Sequence, residues 1–224
     1  IITHFFLPEA YISGMFAAKL TRYHGPLLMS RRSLNNYQRK YPFIGKIERE
    51  FHKHCHLILS NSKAIQHQLI TEENVPLKKT ALIYNGVDEK RFTVRDKISL
   101  RKKLGYLNDQ FIIICVANFI PHKGHMDLIN GLSQIKDKLP VDWKTLLVGK
   151  ERKNGYTQSL KEIIKQTNLS KNVFFIEDCD ESAPFLLASD LGILPSHHEG
   201  FSNAIIEMLA AGLPVIATHV GGNP

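Results

Sequence analysis

Three charged side chains follow apolar runs of the sequence at spacings that suit a phosphorylated and hydroxylated ligand. Glu199 and Glu207 are separated by seven residues, and Lys123 lies in a turn after an earlier apolar run. Carboxylates accept hydrogen bonds from hydroxyl groups, and a lysine can neutralise a leaving diphosphate. An all-helical segment would place the two glutamates about 12 Å apart, whereas paired glycosidase carboxylates need roughly 5–10 Å. We therefore predict that they hold different parts of one extended ligand.

The turn before Glu207 adds backbone donors to this pattern. A strand is predicted to end at Pro195, a polar turn with Gly200 follows, and a helix is predicted to begin near Asn203. Free N–H groups at the start of a helix bind anionic oxygens, and ligands of open α/β sheets lie beyond the carboxyl ends of the strands. Taken alone, the same residues are also typical of a helix-start acid at Glu199 and a solvated acid at Glu207.

Apolar runs alternate with helix-like periodicity through the second part of the chain, which predicts a parallel sheet covered on both faces. The predicted strands are 111–117, 145–148, 173–176, 191–194 and 213–217. The predicted helices are 125–138, 157–168, 181–188 and 203–211. Residues 88–110 are polar and charged, so we predict that they connect this part to the first.

The first part of the chain shows a similar but less regular alternation. Residues 1–7 are predicted to be the end of a strand, and further strands are predicted at 26–30, 57–59 and 81–84. The predicted helices are 9–22, 43–54 and 62–70. This α/β pattern starts in its middle, the chain begins with Ile1, and residues 221–224 resemble a loop that leads onward. We therefore expect the chain to be part of a longer protein.

Composition excludes several classes of protein. With 43% hydrophobic and 22% charged residues, the chain is not a disordered, collagen-like or coiled-coil protein. It has no apolar run of about 18 residues, the length needed to span a membrane. Its three cysteines, Cys55, Cys115 and Cys179, are far apart, which argues against a disulfide framework and favours a reducing compartment.

Positive charge is concentrated in the first part of the chain. Residues 1–95 contain 15 Lys and Arg against 7 Asp and Glu, a balance of +8, whereas residues 96–224 contain 14 of each sign. This asymmetry predicts an anionic partner for residues 1–95, and a solvated basic face is the alternative. The basic residues alternate with no aromatic ladder, so a membrane surface or an acidic acceptor is favoured over nucleic acid.

The turn segments together resemble the nucleotide-sugar glycosyltransferases of family 4, also called group 1 glycosyl transferases. The similar segments are 199–207 (the family's E-x7-E motif), 213–218 with 221–224 (its continuation), and 83–88 with Arg91 and Phe92 (its entry into the linker). The resemblance runs from Thr3 to Pro224 and implies an α/β GT-B fold, in which two Rossmann-like domains with parallel sheets face a cleft. Residues 1–92 would be the latter part of a truncated acceptor domain. Residues 93–224 would be a donor domain that is nearly complete, with its end missing.

The resemblance also implies site residues on both sides of that cleft. Glu199 would contact the transferred sugar, Glu207 the ribose hydroxyls and Lys123 the diphosphate, with Lys123 and Glu199 as the catalytic residues. The implied donor-binding residues are Asn118, Lys123, Glu199, Gly200, Phe201, Ser202, Asn203 and Glu207. The acceptor-side candidates are His4, Arg31 and Arg32, although Arg31 and Arg32 are equally typical of a surface pair.

The chain departs from the family's pattern at two positions. Asn118 stands where the family usually has an arginine, so one phosphate contact would be a weaker hydrogen bond. Phe6 stands where many relatives have the second histidine of a pair that begins here with His4. Only the first histidine of the family's acceptor-side pair is therefore present in this chain.

No metal ion or cofactor is expected. No pair of carboxylates or His/Cys cluster with ligand spacing lies near the predicted site. His52, His54 and His56 alternate around Cys55, but they cross a predicted helix-to-strand junction that would aim the rings apart. The resemblance likewise implies a reaction that is independent of metal.

The resulting prediction is a retaining glycosyltransferase of the hexosyltransferase type. It would move a sugar from a nucleoside diphosphate to a hydroxyl of a lipid-linked or saccharide acceptor, in polysaccharide, lipopolysaccharide or glycolipid synthesis for the cell envelope. The predicted location is the cytoplasm, with contact between residues 1–95 and the anionic inner face of the membrane. The alternatives are a UDP-sugar 2-epimerase of the same fold and a non-catalytic relative that only binds nucleotide sugar.

Overall fold

The computed structural model describes residues 1–93, 96–152, 155–177 and 179–224, which form two compact units. The first unit consists of Ile1–Asn85, Glu199–Phe201 and Gly221–Pro224, and the second of Gly86–His198 and Ser202–Val220. The boundary between the expected acceptor domain (residues 1–92) and the expected donor domain (residues 93–224) stays a prediction.

The first unit is a four-stranded parallel sheet with helices. Its strands lie in the order β1-β2-β3-β4 and are β1 (Thr3–Phe5), β2 (Leu27–Arg31), β3 (Leu57–Ser60) and β4 (Thr80–Leu82). Its helices are α1 (Pro8–Leu20), α2 (Asn36–Lys40), α3 (Pro42–His52) and α4 (Lys63–Thr71). Tyr11, Met29 and Ile58 are fully buried in its core.

The second unit is a five-stranded parallel sheet whose order is β7-β6-β5-β8-β9. Its strands are β5 (Phe111–Val116), β6 (Trp143–Gly149), β7 (Val173–Glu177), β8 (Leu191–Leu194) and β9 (Val215–Ala217). Its helices are α5 (Lys97–Lys103), α6 (His125–Ile135), α7 (Tyr156–Gln166), α8 (Ala183–Ala188) and α9 (Asn203–Ala210). The predicted α/β class, with a parallel sheet in each part of the chain, is confirmed.

Strand β5 explains why this sheet has two cores. Ile113 and Cys115 lie in the core on one face, and Ile112 and Ile114 lie in the core on the other. Since successive side chains of a strand point to opposite faces, a strand that is covered on both faces needs a continuous apolar run. The run from Phe111 to Val116 meets that need. Strand β5 lies in the middle of the sheet, between β6 and β8.

The prediction that residues 88–110 only connect the two parts is wrong for the segment that forms α5. Asp96 caps this helix, since its Oδ1 accepts hydrogen bonds from the backbone N–H groups of Ile98 and Ser99. Arg101 is buried and donates to Asp190 at 2.6 Å and to the carbonyl oxygen of Ala188 at 2.9 Å. Helix α5 packs through this buried ion pair and not through an apolar face. The sequence therefore lacks the apolar periodicity that would predict a helix here. Residues 94 and 95 of the predicted connection lie outside the described residues.

Candidate active site

The second sheet has a topological switch point between β5 and β8. From β5 the chain proceeds to β6 and β7 on one side, and it then returns to β8 and β9 on the other. The chain therefore proceeds from β5 and from β8 toward opposite edges of the sheet, and open α/β sheets bind ligands beyond the carboxyl ends of the strands at such a point. The predicted Lys123 turn follows β5, and the predicted glycine-containing turn follows β8.

These two turns contact each other within the second unit. Gly124 has φ of +72°, and a Cβ atom there would lie 2.0 Å from the carbonyl oxygen of Pro195. The backbone N–H of His197 donates to the carbonyl oxygen of His122 at 2.8 Å. The packing requires glycine next to Lys123, both for its backbone conformation and for the close approach. This contact holds the half-buried Lys123 at the switch point of the sheet.

A hydrogen bond between two side chains also fixes the turn after β8 to the start of α6. His197 Nε2 lies 2.5 Å from Asp127 Oδ2, and Asp127 lies in the first turn of α6. His197 therefore ties the turn after β8 to α6, the helix that follows Lys123.

Helix α9 begins beyond the β8 turn with a capped N-terminus. Ser202 is the N-cap, and its Oγ accepts a hydrogen bond from the backbone N–H of Ile205 at 3.4 Å. The first N–H groups of a helix have no partner within the helix, and they carry partial positive charge that favours an anion. The expectation of a helix start at Asn203 is confirmed.

Glu207 lies one turn into α9 with its side chain 21% exposed. Its Oε2 accepts a hydrogen bond from Ser182 Oγ at 3.3 Å, and its Oε1 lies 3.9 Å from Arg91 Nη1. Neither of these two partners is among the site residues predicted from the sequence. Arg91 was noted only as part of the linker motif, and no sequence pattern links Ser182 to α9.

Glu199, Gly200 and Phe201 group with the first unit, so that the predicted donor segment is divided between the units. Glu199 is 8% exposed. A Cβ atom on Gly221, whose φ is +56°, would lie 1.7 Å from the carbonyl oxygen of Glu199. The backbone of the later glycine segment therefore packs closely against Glu199, and only glycine fits there.

Asn118 follows β5 with its side chain turned toward the end of β6. Its Oδ1 accepts a hydrogen bond from the backbone N–H of Lys150 at 3.4 Å. The residues that follow each of them, Phe119 and Glu151, form an isolated parallel bridge. The carboxamide therefore joins the loops that follow two neighbouring strands. Its donor-binding role stays a prediction.

The three acceptor-side candidates line one cavity of about 340 Å³ in the first unit. This cavity lies where the strands of that sheet end. His4 Nε2 is 2.9 Å from Ser30 Oγ, and the Phe6 ring lies 4.2 Å from the His4 ring, centroid to centroid. Arg32 is exposed, whereas the side chain of Arg31 is only 2% exposed. Contact of these residues with an acceptor stays a prediction.

Arg31 is held in a buried ionic network, and the suggestion that it belongs to a surface pair is wrong. Its Nη2 is 2.8 Å from Glu73 Oε2 and 3.6 Å from Glu48 Oε2, and its Nη1 also donates to the hydroxyl of Tyr37. Burial alone would raise the pKa of Glu73, but the hydrogen bond from His52 and the charge of Arg31 keep it below its usual value. Removing one partner of such a pair costs about 3–5 kcal/mol, because a buried charge is left unpaired.

The alternating histidines around Cys55 do not converge. His52 lies between the Tyr11 hydroxyl and Glu73, and His56 Nδ1 accepts the backbone N–H of Leu27 at 3.1 Å. Across residues 1–93, 96–152, 155–177 and 179–224, no group of three or more His, Cys, Asp or Glu side chains has the geometry of a metal site.

Two family profiles match almost the whole chain between them. The profile described as "Glycosyl transferases group 1" matches residues 96–224, and the profile described as "Glycosyltransferase Family 4" matches residues 1–91. The first of these matches alone covers more than half of the chain.

Curated relatives carry the names of glycosyltransferases. N-acetyl-alpha-D-glucosaminyl L-malate synthase of Bacillus anthracis is 32% identical over 72% of this chain and 42% of its own length. A GDP-mannose-dependent phosphatidylinositol monomannoside mannosyltransferase of Corynebacterium glutamicum is 34% identical over 62% of this chain and 38% of its own length. The chain therefore spans about two fifths of the length of these relatives.

A solved structure extends the similarity to the fold. The structure of HepE from Anabaena in complex with UDP is 25% identical, has a TM-score of 0.86, and is matched over 98% of this chain and 60% of its own. WaaG, a glycosyltransferase of lipopolysaccharide biosynthesis, matches at 15% identity with a TM-score of 0.75, and thereby shows likeness of fold alone.

Proposed function

The chain belongs to the group 1 glycosyl transferases, and on this premise we propose that it transfers a sugar from a nucleoside diphosphate to an acceptor hydroxyl with retention of anomeric configuration. The resemblance predicted from the sequence is confirmed, as is the GT-B fold class. Since the chain spans about two fifths of its curated relatives, the activity is proposed for the complete gene product.

The observation that carries the proposal is the contact between the turns after β5 and β8. Gly124 packs against Pro195, and His197 is bonded to His122. Lys123 lies in one of these two turns, and the N-terminus of α9 follows the other. The contact between the turns holds both at the switch point of one sheet. This arrangement suits a diphosphate, because Lys123 offers a full charge and the first amides of α9 offer oriented hydrogen-bond donors.

Each donor-site residue receives a role under this proposal. Lys123 binds the diphosphate, with Asn118 and the amides of Ser202 and Asn203 as further donors to it. Glu207 accepts hydrogen bonds from the ribose hydroxyls. Glu199 contacts the transferred sugar, together with the backbone of Gly200 and Phe201.

The proposed chemistry proceeds on one face of the sugar. The bond between the anomeric carbon and the diphosphate oxygen breaks while a bond to the acceptor oxygen forms on the same face. The acceptor proton passes to the leaving phosphate oxygen. Lys123 and the start of α9 stabilise the charge that develops on the diphosphate, and preorganised donors of this kind are worth several kcal/mol. No metal ion takes part in the proposed step.

We further propose a lipid-linked or saccharide acceptor, as in polysaccharide, lipopolysaccharide or glycolipid synthesis. The cavity of the first unit that is lined by His4 and Arg32 is the proposed acceptor-binding site. The names of several relatives support this class, among them a capsular polysaccharide biosynthesis glycosyltransferase of Staphylococcus aureus.

The proposed location is the cytoplasmic face of an anionic membrane, which residues 1–95 would contact. In support, the side chain of Phe43 is 74% exposed and that of Tyr41 is 49% exposed. Exposed Arg39, Lys40 and Lys46 lie close to them in sequence. Aromatic side chains beside lysines and arginines are typical of surfaces that bind anionic bilayers. Within the described ranges, the structure contains no helix with the length and apolarity to cross a bilayer.

Thermal stability with added nucleotide sugars identifies the donor first. We expect one of the UDP-, GDP- and ADP-sugars to raise the melting temperature of the complete gene product, because a ligand of the folded state stabilises it. That donor is then incubated with saccharide and lipid-linked acceptors in EDTA, and NMR reports the anomeric configuration of the product.

We expect release of nucleoside diphosphate in step with a retained glycosidic linkage, and no loss of activity in EDTA. Conversion of the donor to its C2 epimer would identify a 2-epimerase and contradict the proposal. Donor binding without turnover over a broad acceptor panel would instead identify a binding protein.

A further inference from the structure

Arg91 is fixed to the second unit by the residues on either side of it. Asp88 caps a short 3-10 turn, Glu89–Phe92, by accepting the backbone N–H of Lys90 at 3.1 Å. The ring of Phe92 is 8% exposed and packs in the core that includes Leu186 of α8 and Met208 of α9. The backbone of Arg91 is therefore held next to α8 and next to α9, the helix that carries Glu207.

The guanidinium of Arg91 lies between two carboxylates. Its Nε and Nη2 are 3.0 and 2.9 Å from Glu181 Oε1, and its Nη1 is 3.9 Å from Glu207 Oε1. The side chain of Arg91 is 38% exposed and that of Glu181 is 53% exposed. Two donors on one oxygen orient the guanidinium plane, and the third nitrogen then faces Glu207.

The carboxylate of Glu207 is thus approached from both sides, and it still has acceptor capacity. Ser182 Oγ donates to Oε2 at 3.3 Å, while the Arg91 contact to Oε1 is an ion pair that is longer than a hydrogen bond. Each carboxylate oxygen can accept two hydrogen bonds. Lone pairs therefore remain on both oxygens for a neighbouring pair of hydroxyl groups.

We infer that Arg91 is a positioning residue, which holds the Glu207 carboxylate in the orientation that accepts the ribose hydroxyls of the donor. Glu181 orients Arg91, and Ser182 fixes the opposite oxygen of Glu207. Without the guanidinium, Glu181 and Glu207 would lie near one another as like charges with no cation between them, and Glu207 would turn away. The inference rests on the proposed function.

Ribose selectivity is the measurement that isolates this role. The dissociation constants of UDP, GDP and ADP, and of their 2′-deoxy forms, are measured by calorimetry with the complete gene product. A hydrogen bond to a charged group is strong enough to give roughly a tenfold preference for the ribose form. A loss of diphosphate affinity or of general stability changes both forms equally and leaves the ratio unchanged.

Four variants and one control test the inference. We expect the tenfold ratio to fall close to one in Glu207→Gln, to about two in Arg91→Gln, and to about three in Glu181→Ala. Arg91→Lys should recover most of the ratio, since it restores the cation. Lys102→Gln removes an exposed charge from α5 and should keep the full ratio.

The outcomes separate the inference from the proposed function. If the wild-type protein binds none of the three diphosphates, the proposed function fails. If it binds one tenfold more tightly than its 2′-deoxy form and Arg91→Gln keeps that ratio, the inference alone is overturned. A wild-type ratio near one also overturns it. If Arg91→Gln does not fold, a full ratio in Glu181→Ala overturns it.

Discussion

Lys123 supplies a larger share of the positive charge proposed to face the diphosphate than it would if residue 118 were an arginine and not Asn118. Asn118 donates a neutral hydrogen bond at best, and its carboxamide oxygen already accepts from Lys150. Neutral hydrogen bonds are weaker than charge-assisted ones. The positive charge expected at the diphosphate in the second unit therefore belongs to Lys123 and to the partial charges at the start of α9.

We predict that Lys123→Ala lowers transition-state stabilisation by about 3 kcal/mol, the effect of removing one preorganised donor. This corresponds to a fall in kcat of about 100-fold. The steady-state rate of nucleoside diphosphate release measures kcat. Lys102→Ala, which removes an exposed lysine of α5, is the matched control. A decrease of less than about threefold would show that the charge comes from elsewhere.

His125, the residue after Gly124, makes folding depend on pH. It is fully buried against Phe119, and burial lowers its pKa from 6.5 to about 4. Between those values the unfolded chain binds a proton that the folded chain does not, so the free energy of unfolding falls as the pH falls. The full effect is about 3 kcal/mol.

We therefore predict that His125→Leu flattens the dependence of unfolding free energy on pH between about 6.5 and 4. Urea unfolding at a series of pH values measures the slope, and His67→Gln, which changes an exposed histidine, should leave it unchanged. Equal slopes for His125→Leu and wild type would contradict the assignment.

At the scale of elements, the site depends on how closely the β5 and β8 turns pack. No side chain fits at Gly124, because its φ is positive and the Pro195 carbonyl oxygen occupies the Cβ position. The turns are therefore coupled by a backbone contact, whereas His197 and Asp127 couple them through side chains.

We predict that Gly124→Ala destabilises the protein by about 2 kcal/mol or more and lowers activity, since strain at a positive φ adds to the clash. Gly131→Ala is the matched control: it lies inside α6 with open space around its Cβ position, and alanine there should stabilise the helix by up to about 1 kcal/mol. Urea unfolding measures both. Equal stability of the two variants would show that the turns can separate at little cost.

At the scale of the whole molecule, charge distinguishes the two parts of the chain. Residues 1–95 carry the entire balance of +8. Arg31 adds no charge to the surface, because it is buried and paired with Glu48 and Glu73. The exposed basic residues near Phe43 are not buried in this way. They are therefore among the charges that can reach an anionic surface.

We predict that the complete gene product sediments with vesicles of phosphatidylglycerol and phosphatidylcholine, and less as salt rises. Each lysine near such a surface is worth about 1 kcal/mol, so Lys40→Glu with Lys46→Glu should weaken binding at least tenfold. Lys102→Glu with Lys165→Glu, in the second unit, should change it little. Equal binding to pure phosphatidylcholine would contradict the prediction.

Much of the fold was predictable because local patterns specify it. The apolar run at 111–117, ended by turn residues, predicted β5 to within one residue. The polar turn after Pro195 predicted that a helix begins near Asn203, where α9 starts. Ser202 caps it there, and such capping acts over only three residues. The order of the E-x7-E segment and its continuation identified the family, since an ordered set of motifs is specific even where each one is weak.

The tertiary structure decided what lies around those residues. Arg91 is 116 positions from Glu207, and Arg31 is 42 from Glu73. Which partner a charge finds at such separations depends on how helices pack on a sheet, and no local spacing specifies it. The same reason explains why α5 was missed, because Arg101 looks solvated until Asp190 is beside it. Local chemistry fixed the elements and the motif, whereas long-range packing fixed which charges are buried, paired or directed at the site.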